Sequence, residues 1–494
     1  MEYLSKSFCL QLSVCCIFFL SITGCSKEPQ KTVPPSPPAV SKQEQKTDEL
    51  PPAGKEVSSK TTLLATIADD EKPQAVVAPA GHVMPPASQN QPAFFQVIFS
   101  ESGRGAAYIA EKDGKVYVVH NGKAGKQYAT IGEVALSPDG RRIAYGAIVD
   151  GKWRMVIDDR EGKKYNTVKS PMFSPDSKHV AYQAMLDERW FIVVDNTVNT
   201  GTKANYAKQE FNSDSTLIAY IENADDKNKG SLVVSDLGFK TQTIMDGIGY
   251  PMITNTDKTR IAAVSRENGK QRVIEFSFSA PKAVKKGPLY DAVYKLAFGP
   301  DGVSIAYDAE RSGEHLLIFN NREDRIPKKT LIGPPVIRPD LKAVGAIIAK
   351  IDPATQHIAI NSTDNASLRQ SFINDAGKEK DYEEAANLVY NRDGSIYAYV
   401  ARTGQGWFAV VNGKEGPVFD RVVTPVFSPD GKLLVYRARK DGKRFVVVAD
   451  TNGRTIRQHP GYEQVFSVVF TPDGKSVAYG VKDGNKLIWK VERL

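Results

Sequence analysis

The strongest constraint on this chain is that it repeats itself. A turn of the form Ser-Pro-Asp-Gly recurs along most of its length. Its aspartate stands at Asp139, Asp176, Asp214, Asp257, Asp301, Asp340, Asp393, Asp430 and Asp473, with Ser102 in that place in the first copy. Six residues later comes Tyr108, Tyr145, Tyr182, Tyr220, Tyr307, Tyr399, Tyr436 or Tyr479, and two copies carry Ala263 and Ala346 instead. Three residues before it sits an apolar or aromatic side chain, such as Phe173, Phe298 or Phe427, and Thr254 departs from that rule. The interval between copies is 37 to 44 residues, except for one of 53. A unit this short cannot bury its own apolar face, so copies must stack on one another.

Each copy reads as four short strands. In "VFSPDGKLLVYRARKDGKRFVVVAD" (Val426 to Asp450) the turn chemistry separates them. Pro429 presets φ at the first central turn position, Asp430 bonds the local backbone, and Gly431 accepts positive φ. Asp441-Gly442 is the signal of a tight hairpin, as are Asp113-Gly114, Asp150-Gly151 and Asp483-Gly484. A lone four-stranded meander is marginal because one face stays uncovered. Radial stacking covers it, so the reading is all-β: a β-propeller built from ten four-stranded repeats of about 40 residues, in one large ring or two smaller ones. The repeat aspartates are then structural turn residues. The last copy stops at Leu494 after its third strand, so a closed ring needs a strand from elsewhere; Ala75 to Ala78 is the expected donor.

The F-S-P-D-G-x-x-x-A-Y pattern resembles the WD-like repeats of TolB-type bacterial propellers, which also stand beside the hydrolase domain of prolyl oligopeptidase relatives. "VVNGKEGPVFD" (Val410 to Asp420) is similar to a recurrent V-V-D-G-K-E-G-x-x-Y-D element of one bacterial subfamily. The likeness covers 94–494. It implies a propeller and, from TolB-type proteins, binding to envelope proteins. Their separate N-terminal α/β domain has no counterpart here, which puts a Tol–Pal role in doubt.

The first 24 residues read as a signal peptide, with Lys6 before the apolar run Phe8 to Leu20. That run ends in Ile22-Thr23-Gly24-Cys25, which resembles the lipobox of bacterial lipoproteins and implies acyl chains on Cys25. Several chains on one cysteine make a stable anchor. Ser26 after it resembles an outer-membrane address, so the expected place is the cell envelope, facing the periplasm. The other cysteines are Cys9, Cys15 and Cys16, so a chain cut before Cys25 has no disulfide and no thiolate metal site. Residues 25–93 are expected to be a disordered tether: 26–93 hold twelve of the 29 prolines and no Phe, Trp or Tyr. "TTLLATIA" (Thr61 to Ala68) and "AVVA" are its strand-like pieces.

From Phe94 on, 57 basic and 48 acidic residues leave +9, a mild excess that does not indicate nucleic acid. His82, His120, His179, His315, His357 and His459 show no paired metal-ligand spacing, and there is no G-x-S-x-G elbow, phosphate loop or dinucleotide fingerprint. No cofactor and no metal are expected. Asp225, Asp226 and Asn228 form a cation candidate in a polar loop, and Trp153, Trp190 and Trp407 open third strands as either a sugar platform or packing between blades. The long interval places extra residues around Ile351 to Leu368, in one hairpin of one blade, a candidate contact loop. The expected function is a membrane-anchored, non-catalytic scaffold for an envelope protein, with peptidoglycan or another glycan as the other partner class. The alternative is a polysaccharide-acting propeller enzyme, a lyase or glycosidase.

Overall fold

A computed structural model describes residues 59–73 and 97–494, apart from 101, 204, 223–229, 327–328, 351–369, 375–376, 379 and 472. Among the described residues the regular structure is entirely β, gathered into nine antiparallel sheets. One sheet has seven strands, because Gln242–Thr254 serves both as the fourth strand of one repeat and as the first of the next. Divided there, the sheets are ten blades. Their second strands are Ala106–Lys112, Ile143–Val149, Val180–Leu186, Leu217–Glu222, Arg260–Glu267, Ile305–Arg311, Val344–Lys350, Tyr397–Thr403, Leu433–Lys440 and Ser476–Asp483, numbered here as blades 1 to 10.

Blade 9 shows the common plan: Arg421–Phe427, Leu433–Lys440, Lys443–Asp450 and Thr455–Gln458, each paired with the next. Its second hairpin turns through Asp441 (φ 51°) and Gly442 (φ 75°), the two positive φ values of a type I′ turn. Strand-forming apolar residues then alternate between the two faces, and each face meets a neighbouring blade.

Ten apolar clusters fill ten seams, one per pair of neighbours, which makes a single ring of ten blades and removes the two-ring arrangement. The repeat tyrosine is the centre of most of them. Tyr145 is fully buried between blades 1 and 2 and meets Tyr128 edge-on, ring centroids 6.1 Å apart. Tyr165 meets Tyr182, Tyr290 meets Tyr307, Tyr382 meets Tyr399 and Phe419 meets Tyr436 in the same way. Burying such a side chain stabilises by roughly 1.5–3 kcal/mol, and the edge-on contact adds to it. Where Ala263 replaces the tyrosine, Met252, Phe276 and Phe278 fill the seam.

The ring closes with an N-terminal strand, though not the expected one. Ser59–Thr66 lies antiparallel along Lys486–Arg493, from Ser59 opposite Glu492 to Thr66 opposite Lys486, and supplies the fourth strand of blade 10. Ala75 to Ala78, the expected donor, lies outside the described residues. The propeller therefore starts at Ser59, inside the stretch read as a disordered tether up to residue 93. The physical reason is modest: an outermost strand needs only one buried face, and here Ala65 and Ile67 supply it. Lys72–Pro73 and Ile98–Phe99 both pair with the second strand of blade 1, so its first strand comes in two pieces with 74–97 between them.

Candidate binding surface

The repeat aspartates sit at the turn between first and second strands, all on one face of the ring. Each carboxylate is taken up by its own turn. Asp430 accepts from Ser428 Oγ (2.6 Å) and Lys432 N (3.1 Å), and Asp139 from Ser137 Oγ (2.7 Å) and Arg141 N (3.0 Å). Asp214, Asp257 and Asp393 accept from Thr216, Thr259 and Ser395 through both hydroxyl and amide. Asp301 binds Ser304, Asp340 binds Arg338 and Lys342, and Asp473 binds Thr471 and Lys475. Hydrogen bonding from Ser428 first, then from the Lys432 amide, holds Asp430 below the ordinary carboxylate range. For Asp176, burial works upward but the Ser174 and Lys178 donors outweigh it, bringing the pKa down to about 2. Carboxylates spent in this way shape turns and do not converge on one another.

The described histidines are dispersed as well. His120 Nε2 lies 3.0 Å from Gly140 O, and His179 Nδ1 lies 2.9 Å from Asp195. His315 Nδ1 meets fully buried Asp308 at 2.8 Å, and buried His459 meets Glu492. Glu492 also holds Lys490 (3.0 Å), whose ammonium donates to Tyr462 Oη at 2.6 Å. Burial opposes charge on Glu492, but His459 and Lys490 outweigh it and bring its pKa down to about 2. Among the described residues no group of three or more His, Cys, Asp or Glu could hold a metal ion.

The tryptophans pack into the blades. Lys169 lies over the Trp190 ring at 4.3 Å and Arg421 over Trp407 at 3.9 Å. Trp153 covers Gly132 and Gly146, where a Cβ would come within 3.1 and 3.4 Å of its ring. None of the three is an open sugar platform.

First strands of neighbouring blades pack on one another, which puts them at the narrow inner end of the ring. Most are bulged midway, as between Lys169 and Met172, Val293 and Leu296, or Val423 and Val426. Ser170, Asn387 and Thr424 take positive φ there (53°, 57° and 51°). Polar side chains stitch these bulges across seams. Glu133 accepts from Ser170 N at 2.5 Å, and Gln209 donates to Ser170 O at 2.8 Å. Lys208 donates to Met252 O at 3.2 Å, and Lys295 to Leu331 O. Arg437 reaches the carbonyls of Val465 (3.2 Å) and Phe466 (2.8 Å) in blade 10. Burial, followed by the nearby Arg444 charge, pulls the Arg437 guanidinium down to about 10. Burial pushes Glu133 up and Lys295 down. The signal for this inner girdle is absent from the repeat motif, because the stitching residues differ from blade to blade.

Two cavities open at seams. One of about 470 Å³ lies between blades 8 and 9, lined by Tyr390, Arg392, Phe427 and Pro429. The other, of about 450 Å³, lies between blades 1 and 2, lined by His120, Lys123, Arg142, Tyr145 and Asp159. Cys25, His82, His357, the cation candidate Asp225, Asp226 and Asn228, and the loop Ile351 to Leu368 lie outside the described residues. No described helix is long and apolar enough to cross a membrane.

No protein-family model matches the chain, and no curated protein sequence matches it. Similar solved structures include a eukaryotic initiation factor, at TM-score 0.41 and 12% identity over 73% of this chain and 96% of that one. Oligogalacturonate lyase in complex with manganese gives TM-score 0.29 and 14% identity over 66% and 96%. TolB from Acinetobacter baumannii gives 0.25 and 11% over 73% and 79%. The propeller assignment rests on the ten seams, and likenesses of this size say nothing of function.

Proposed function

We propose that this chain is a cell-envelope lipoprotein, anchored through acyl chains on Cys25, whose propeller is a non-catalytic scaffold for another envelope protein. The observation that carries the reading is where the repeat is interrupted. In sequence, 223–229 stand between Leu217–Glu222 and Gly230–Asp236 of blade 4, and 351–369 between Val344–Lys350 and Gln370–Asn374 of blade 7, where blade 9 has only the Asp441-Gly442 turn. Segments that break a rigid, stitched repeat are where binding specificity is usually placed. The net +9 of residues 94–494 favours an acidic partner surface. The outer membrane, facing the periplasm, is the expected leaflet.

Crosslinking in living cells, followed by purification from solubilised envelope, tests the reading. A discrete protein partner is expected, lost when residues 352–368 are replaced by a short turn. Cys25→Ala should move the protein out of the membrane fraction. Retention on peptidoglycan with no protein partner would sink the scaffold.

One observation favours the polysaccharide-enzyme alternative. Asp308 fixes His315 beneath the exposed ring of Tyr294 (stacked, centroids 5.5 Å apart), whose hydroxyl donates to Glu310 at 2.8 Å. A buried acid orienting a histidine beside a tyrosine is an arrangement suited to proton transfer. If the chain turns over a glycan, His315→Ala should abolish that activity and leave protein capture intact.

A further inference from the structure

Residues 59–73 differ from every other part of the ring in how they are attached. Their strand Ser59–Thr66 pairs with Lys486–Arg493 alone, as the outermost member of its sheet. Behind it, Ile67 N donates to Asn485 O at 2.7 Å. Glu71 then forms a latch on blade 1: Tyr117 Oη donates to its Oε1 at 2.8 Å and Tyr108 Oη to its Oε2 at 3.0 Å. Asp70 pairs with Lys112 at 2.5 Å, and Lys72–Pro73 adds two residues of ladder. Covalently, the segment joins the ring only through 74–97. The buried apolar side chains it contributes are small in number, Ala65 and Ile67.

The direction of the strand matters. It enters at the face of the aspartate turns, beside Glu492, and runs to the hairpin face beside Lys486. Any pull applied to the chain before Ser59 therefore reaches this strand before any other part of the propeller. We propose that residues 59–73 are a clasp that releases as a unit under such a pull, uncovering the edge of the seam between blades 10 and 1, where Phe99 still packs on Phe466 and Trp489, while the rest of the ring stays folded. Release frees the 39 residues from Ser59 to Val97 as added tether. At about 3.4 Å per residue that is roughly 130 Å of extra reach. The use of this reserve in the envelope rests on the Cys25 anchor proposed above; the release itself does not.

The test is single-molecule force extension on the full-length chain, with Cys9, Cys15, Cys16 and Cys25 changed to serine. One handle precedes Met1 and the other is a short tag in the Asp150-Gly151 hairpin of blade 2, where a Cβ added at Gly151 would point into open space. The expected first step lengthens the molecule by roughly 130 Å and reverses on relaxation. Glu71→Gln should lower the force of that step at unchanged length. A disulfide between Lys60→Cys and Val491→Cys, which face each other across the ladder, should abolish it until reductant is added. A single first step of about 310 Å, the whole 92 residues between Ser59 and Asp150, would overturn the proposal, as would lengthening with no discrete step. Loss of lipid labelling at Cys25 in cells would remove the anchor reading and leave the short step in place.

Discussion

Nine seams of the ring join blades that follow one another along the chain, and the tenth joins its two ends. In the seam between blades 1 and 2, Tyr128 and Tyr145 come from segments 17 residues apart and meet inside a continuous run of chain. In the tenth, Thr66 meets Lys486, 420 residues away. Closing a loop that long costs about 2 kcal/mol more than closing one of blade length, since the cost grows only with the logarithm of length. A ladder of seven residue pairs at roughly 1 kcal/mol per hydrogen bond, with the Glu71 latch, offsets that. The comparison teaches that the closing strand holds by pairing and buries only Ala65 and Ile67 beside it, and so is the part of the ring that should detach first.

The largest expected effect follows from removing the clasp. Deleting residues 59–66 should cost about 5 kcal/mol, from the lost ladder and the exposed seam, read as a lower urea midpoint. Deleting Ala75 to Ala78 should leave the midpoint in place, and an equal loss from both would show that the closing strand has been misassigned. Tyr145→Ala, inside a continuous seam, should cost about 3–5 kcal/mol through the cavity it leaves. His459→Ala should cost about 3 kcal/mol, because buried Glu492 keeps only Lys490. His179→Ala, which breaks a pair whose side chains are 34% and 47% exposed, should cost less than about 1 kcal/mol.

The last effect is a pH dependence shared by blades 2 to 10, whose turns carry the aspartate. The turn aspartates have folded pKa values below their unfolded ones, Asp176 at about 2 against an unfolded value near 3.9. A carboxylate depressed on folding contributes stability that is present above its unfolded pKa and lost as pH falls through the folded one. The melting temperature should therefore hold down to about pH 4 and then fall towards pH 2. Asp430→Asn should shallow that fall slightly without changing the plateau. A fall centred near pH 6 would instead assign the loss to histidine.

Much of the fold is legible in the residues. The turn Ser-Pro-Asp-Gly, the tyrosine six residues later and the tight Asp-Gly hairpins place strands in every repeat because each fixes a backbone conformation or a buried position locally. A second signature was equally available: an aromatic 17 residues ahead of the repeat tyrosine, as at Tyr165, Tyr290, Tyr382, Phe419 and Tyr462, which caps the same seam. The inner girdle was not legible. Glu133, Gln209 and Lys295 stand at or beside first-strand bulges of different blades, Arg437 stands on the second strand facing such a bulge, and each acquires its partner only when neighbouring blades converge.

The sequence by itself determined the repeat, the four-stranded blade and the structural use of each turn aspartate, since these are decided within about 40 residues by φ preferences, turn hydrogen bonds and strand alternation. Only the tertiary structure decided that ten blades make one ring, that Ser59–Thr66 closes it, and that Arg437 reaches the carbonyls of Val465 and Phe466 in the next blade. Those are meetings between segments whose spacing along the chain carries no record of their distance in space. Of two short strand-like stretches, at Thr61 and at Ala75, the sequence favours the one at Ala75, but Ser59–Thr66 is the one that pairs with Lys486–Arg493, on the edge that the other blades leave open.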